Sequence, residues 1–165
     1  MKGVFCMYRT VEDFTNDWSQ NAQGTLNAIR AISDDKLHFA IVEGHSSLGW
    51  LAWHLTTAPG FFGNMLAGLG LEVQFDPNAQ PATVEEIAVA YEKVMADVSA
   101  KVAALSDEDM LAEVKGIHGP APRGAILRAM IDHQTHHRGQ MTVLLRQAGL
   151  TVPPVMGPTK EMQAK

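Results

Sequence analysis

Four stretches, each of about 20 residues, carry apolar side chains every three or four positions, and this repeat constrains the fold more than any other feature. Such spacing lines the apolar groups along one face of a helix. No stretch shows the period-two alternation of a half-buried strand above noise. The first helix opens at Thr10, with Asp13 three positions on as a weak capping box. Its face reads Val11, Phe14, Trp18, Ala22, Leu26, Ile29 and Ile32, and SDDK at 33–36 ends it. The second opens at Ser46 and Ser47 and runs to about Gly68, with Leu51, Leu55, Ala58, Phe62, Met65 and Leu66 inward and a kink expected at Pro59. The proline-bearing segment DPNAQPAT (76–83) reads as a loop. Thr83 and Glu86 then form a capping box for the third helix, whose face is Ile87, Tyr91, Val94, Val98 and Val102. A connector rich in Gly and Pro, GIHGPAPRG (116–124), leads to the fourth, from about Arg123 to Ala148. Gly149 stands where a helix-terminating glycine belongs, and Arg146 suits the negative end of the helix dipole.

Four amphipathic helices predict an all-α protein, a four-helix bundle. The 165 residues suit one domain, with the bundle over about 10–149 and an irregular tail over 150–165 that wraps the surface. The formal net charge of -5, with no helix rich in Arg and Lys, argues against a nucleic-acid binder. The lone Cys6 forms no internal disulfide and reads as a small apolar residue rather than a nucleophile. The opening MKGVFCMYRT is too short in its apolar run for a secretory leader, and no stretch approaches the roughly 20 apolar residues that span a bilayer. The expected location is the cytoplasm, with no membrane partner. The nine methionines are scattered, which suits gap-fillers in a helical core better than copper ligands.

The chemistry lies in DHQTHHRGQ, residues 132–140. Steps of three and four from Met130 land on His133, His137 and then Met141, so these two histidines are expected on the core stripe. At i and i+4 their Cβ atoms stand about 6 Å apart, close enough for two imidazoles to grip one ion. His136 lies roughly 60° off His133 at ~100° per residue and is expected at the stripe's edge. His54, three after Leu51, falls on the inward face of the second helix. Alone it would read as a core histidine satisfied by hydrogen bonds. With the inward pair on the fourth helix, it becomes the candidate third ligand, since bundles build metal sites from facing helices. His38, His45 and His118 have no periodic partner.

Three imidazoles without carboxylate or thiolate form an open, catalytic type of site rather than a closed structural one. Zn, Ni, Cu and Fe all suit imidazole. Such an ion could lower the pKa of a bound water toward ~7, or hold a substrate thiol as thiolate.

The segments SLGWLAWHL (47–55) and DHQTHHRGQMTVLLRQAGLTVPPVMGP (132–158) resemble the two signature regions of the DinB-like, YfiT-related metalloenzyme family. They carry its Trp-His on the second helix, its H-x-x-x-H-R-G-Q on the last, an L-R-x-x-G turn and a V-P-P segment. The resemblance implies an up-down-down-up bundle, a homodimer, and divalent-metal ligation by His54, His133 and His137. It does not require His136. Some relatives are transferases or isomerases that use a low-molecular-weight thiol, so such a thiol is an expected co-substrate. Zinc is the first expectation for the metal, with nickel or iron as alternatives.

The expected function is therefore a metal-dependent enzyme, a thiol-dependent S-transferase or a hydrolase, acting on a small molecule that the sequence does not identify. The alternative is a non-catalytic metal-binding module of a stress response. Arg138 and Gln140 follow the ligands and either orient them or face the cavity; for both, helix–helix hydrogen bonding is the competing reading. His45, at the mouth of the bundle, is a candidate general base against a plain surface histidine. Trp50 and Trp53 are expected in the core or an interface, and Gly139 at a close approach of two helices.

Overall fold

In a computed structural model, which describes residues 7–163, α1 spans Val11–Arg30. Thr10 caps it, its hydroxyl accepting the Asp13 N–H at 3.1 Å. A short 3-10 turn, Asp34–Lys36, follows, and the Asp34 carboxylate accepts the Val84 N–H at 2.8 Å. That bond fixes the connection out of α1 to the start of a later helix.

Helix α2 spans Leu48–Pro59 and continues as a π-helical segment, Gly60–Leu66. The sequence predicts one kinked helix to about Gly68. Instead the hydrogen-bond register widens after Pro59, which has no N–H to give to the Leu55 carbonyl. That carbonyl accepts the Gln134 side-chain amide at 3.0 Å instead. The wider turn keeps Phe62 and Leu66 in the core and rotates Met65 out, 57 % exposed against the sequence expectation.

Helix α3 spans Val84–Ala103 under a reciprocal Thr83–Glu86 capping box, with Ile87, Tyr91, Val94, Val98 and Val102 all buried. The connector that follows is more ordered than expected. It holds a short helix α4 (Asp107–Leu111) and two two-residue strands, β1 (Glu113–Val114) and β2 (Ala121–Pro122), paired antiparallel. Strands this short leave no alternation to read in a sequence. Helix α5 spans Arg123–Gln147 and stops before Gly149, whose φ of +77° gives the expected termination. The tail crosses α1 at Gly24, where a Cβ would meet the Val155 carbonyl oxygen at 2.8 Å. It ends in α6 (Lys160–Gln163), held by the Arg146–Glu161 ion pair.

Helices α1 and α2 both pack on α3 and α5, so they face one another across a four-helix core. That core is closed by Trp18, Leu51, Tyr91, Leu127 and Met130. No helix among the described residues is long and apolar enough to cross a membrane. Gly139 has open space where a Cβ would go, so the close approach of two helices expected there does not occur; at Gly24 it is the tail that comes close. Cys6 lies outside the described residues.

Candidate metal centre

Helix α2 starts firmly, because the Ser47 hydroxyl accepts the Trp50 N–H at 3.1 Å. Its second turn then carries His54 toward α5, where His133 and His137 stand one turn apart. The three rings converge. Their centroids lie 4.8 Å apart for His54–His133, 4.7 Å for His54–His137 and 4.5 Å for His133–His137. One ring nitrogen from each falls within 4.8 Å of the others.

The rings are half-buried, not fully inward as the sequence stripe implies. The buried line of α5 runs through Leu127, Gln134, Arg138, Met141 and Leu145, with the histidines along its flank. Reading apolar periodicity passes over Gln134 and Arg138 because both are polar. Both are buried because both are paired. Gln134 donates to the Leu55 carbonyl and accepts from the Tyr91 hydroxyl at 3.1 Å. Arg138 donates to the Asn21 carbonyl at 2.6 Å, to Asn21 Oδ1 at 2.9 Å and to Thr25 Oγ1 at 3.3 Å. Arg138 is thus a helix–helix tie to α1, its side chain bonding Asn21 and Thr25 rather than the triad.

Gln140 does reach it. Its Oε1 lies 2.8 Å from His137 Nδ1, which places the proton on Nδ1 and leaves the Nε2 lone pair free. Its amide nitrogen stands 3.3 Å from Nε2 of the exposed His136. His136 therefore touches the site only through Gln140 and through its ring, 4.8 Å from that of His137. His45 is exposed in the loop before α2 and lines a cavity of about 290 Å³ with Gln140, Leu51 and Val143, apart from the triad. His38 and His118 are exposed and away from it.

Trp50 was expected in the core or an interface, and its place beside His54 was not anticipated. It is not a core residue: it is 45 % exposed and stacks on His54 at 4.6 Å and 11°. Its i, i+4 spacing to His54 is the signal that could have shown this. Trp53, by contrast, is buried as expected.

Burial pushes His133 down to about 4, helped by His137 and then His54. Burial and then His137 lower His54 as well. Both imidazoles are accordingly neutral near pH 7, with lone pairs available. The Nε2 atoms of His54 and His133 lie 3.0 Å apart. With no ion, one of them must carry a proton toward the other. Two nitrogens each about 2.1 Å from one ion would stand roughly 3.0–3.4 Å apart, so the same separation fits a shared cation. His133 Nδ1 is buried without a hydrogen-bond partner among the described residues, so hydrogen bonding from the protein leaves the ring incompletely satisfied. The donor set is compatible with a divalent metal.

The sequence model of the DinB family matches residues 7–165. The uncharacterized protein YrdA of Bacillus subtilis is 34 % identical over 160 residues, covering 96 % of this chain and 95 % of its own. The crystal structure of a DinB-like protein from Bacillus cereus superposes with a TM-score of 0.82 at 37 % identity, over 90 % of this chain and 99 % of that one. A DinB-like protein, YjoA, of Bacillus subtilis shares the fold at a TM-score of 0.71 and 18 % identity, over 88 % of this chain and 99 % of its own.

Proposed function

The chain belongs to the DinB family, and from that premise we propose that His54, His133 and His137 hold a divalent metal ion, zinc before nickel or iron, in a metal-dependent enzyme of thiol-transferase or hydrolase type. The observation that carries the reading is the convergence of one nitrogen from each ring within 4.8 Å, with no carboxylate or thiolate in the set. Neutral imidazoles alone suit an ion that keeps an open position. When bound, the ion supplies Lewis acidity, lowering the pKa of a water or a substrate thiol toward neutrality.

The chain's own groups prepare the site. Gln140 holds the His137 Nδ1 proton and so turns Nε2 to the centre. Trp50 covers one face of His54, fixing its plane and limiting water there. Burial keeps His54 and His133 unprotonated. Arg138 and Gln134 lock α5 against α1 and α2, so His54 keeps its height relative to His133.

The test is a thiol-conjugation and ester-hydrolysis screen of the metal-loaded protein beside its His137→Ala form. The proposal expects turnover that needs both the metal and His137. Equal turnover by the two proteins would sink it. A metal that raises the melting temperature with no turnover in either screen would favour the non-catalytic module.

A further inference from the structure

The rings of the triad do not stand in equal surroundings. His133 turns Nε2 to the centre, 3.0 Å from Nε2 of His54. A neutral imidazole carries one proton, so with Nε2 given to an ion that proton sits on Nδ1. In His137 the same proton goes to Gln140 Oε1 at 2.8 Å. In His133 it finds no acceptor among the described residues, and Nδ1 is closed off from solvent. A metal-bound histidine ordinarily donates its second N–H to a carboxylate, a carbonyl or water, and that bond makes the ring a stronger donor to the metal.

Phe62 packs against this ring, with centroids 5.1 Å apart and planes at 52°. The other rings beside His133 are its own partners in the triad, His54 at 4.8 Å and His137 at 4.5 Å. An aromatic ring offers an N–H at most a weak acceptor. Phe62 reaches His133 through the π-helical segment. Its carbonyl accepts the Ala67 N–H at 2.9 Å, five residues on, and its buried ring meets Phe61 edge-on at 5.4 Å. The register that widens after Pro59 thus sets a side chain without a hydrogen-bond acceptor against one histidine of the triad.

Resting on the metal reading above, we propose that Phe62 is a positioning residue that acts through His133: it keeps an acceptor from Nδ1, so His133 gives less electron density to the ion than His137 does. The ion is held less tightly than three fully bonded rings would hold it, and it is left a stronger Lewis acid. A purely structural site gains nothing from such a ligand, whereas a site that activates water or a thiol does.

The experiment uses the full chain, isotope-labelled at its histidine nitrogens and loaded with zinc. Each imidazole N–H gives a proton resonance that moves downfield when it is hydrogen-bonded. The His133 Nδ1–H should lie upfield of its His137 counterpart and exchange slowly with solvent. Competition with a chromophoric chelator reads zinc affinity. Phe62→Gln, which offers a carbonyl acceptor, should move the His133 resonance downfield and tighten zinc binding by about threefold to tenfold. Phe62→Leu, which removes the ring and offers no acceptor, should leave the affinity within about twofold. A His133 resonance as far downfield as that of His137 in the parent protein would overturn the inference, whether or not the variants fold. So would a folded Phe62→Gln protein in which that resonance or the zinc affinity is unchanged, or a Phe62→Leu protein that gains as much affinity. Failure of the parent protein to retain zinc would instead contradict the metal reading and take the inference with it.

Discussion

His137 depends on Gln140 for its orientation, and that dependence can be measured apart from folding. Gln140 is exposed, so Gln140→Ala should leave the denaturation midpoint nearly unchanged while weakening zinc affinity by roughly tenfold or more, as loss of a ligand's hydrogen-bond partner does. Competition with a chromophoric chelator reads this directly, and unaltered affinity would remove Gln140 from the site. A second prediction concerns protons. Burial holds His133 at about 4 against an ordinary 6.5, so between those values the unfolded chain takes up a proton that the folded site refuses. This group's contribution to stability is therefore fully present above pH 6.5 and declines as the pH falls toward 4. Urea midpoints of metal-free protein should drop across that window, and His133→Asn should flatten the slope; a slope unchanged by the substitution contradicts the assignment. At this scale the convergence of the three histidines was legible because His133 and His137 fall at i, i+4 and His54 shares a face with Leu51. Trp50 was not, since an aromatic beside apolar residues reads as core until its exposure is known.

The capped helix starts were the most readable elements. Thr83 with Glu86 announced α3, and the structure shows both halves of the box. Thr83→Ala should cost about 1 kcal/mol in chemical denaturation, the usual value of an N-cap. The π-helical segment after Pro59 was not readable beyond a kink, because its cause is tertiary: Gln134 on α5 takes up the carbonyl that proline leaves free. Gln134→Ala removes the partner of both the Leu55 carbonyl and the Tyr91 hydroxyl, each buried. It should destabilise the protein by about 2–4 kcal/mol, the range for stranded buried polar groups plus a cavity. A loss well under 1 kcal/mol would show that these bonds do not join the elements. The buried face of α5 was misplaced for the same reason, since Gln134 and Arg138 occupy positions that an apolar pattern assigns to hydrocarbon. The 113–114/121–122 pairing escaped notice because two residues cannot establish a period.

At the scale of the whole molecule, the four apolar stripes were sufficient to indicate a helical bundle, and the matched DinB-like structures share that architecture. The surroundings of Trp50 were not legible, because the 76–80 loop beside it lies more than twenty residues after His54 and has no periodic signal of its own. The bundle brings His54 to within 3.0 Å of His133 across 79 residues of sequence, and the central claim is that this meeting point holds a metal ion. X-ray absorption at the metal edge, on protein loaded with zinc and freed of excess, tests it most directly. The account predicts one ion per chain with three imidazole nitrogens at about 2.0–2.1 Å, and loss of the imidazole signature in His133→Ala. Protein that retains no zinc, or zinc surrounded by oxygen with no imidazole scattering, would contradict it.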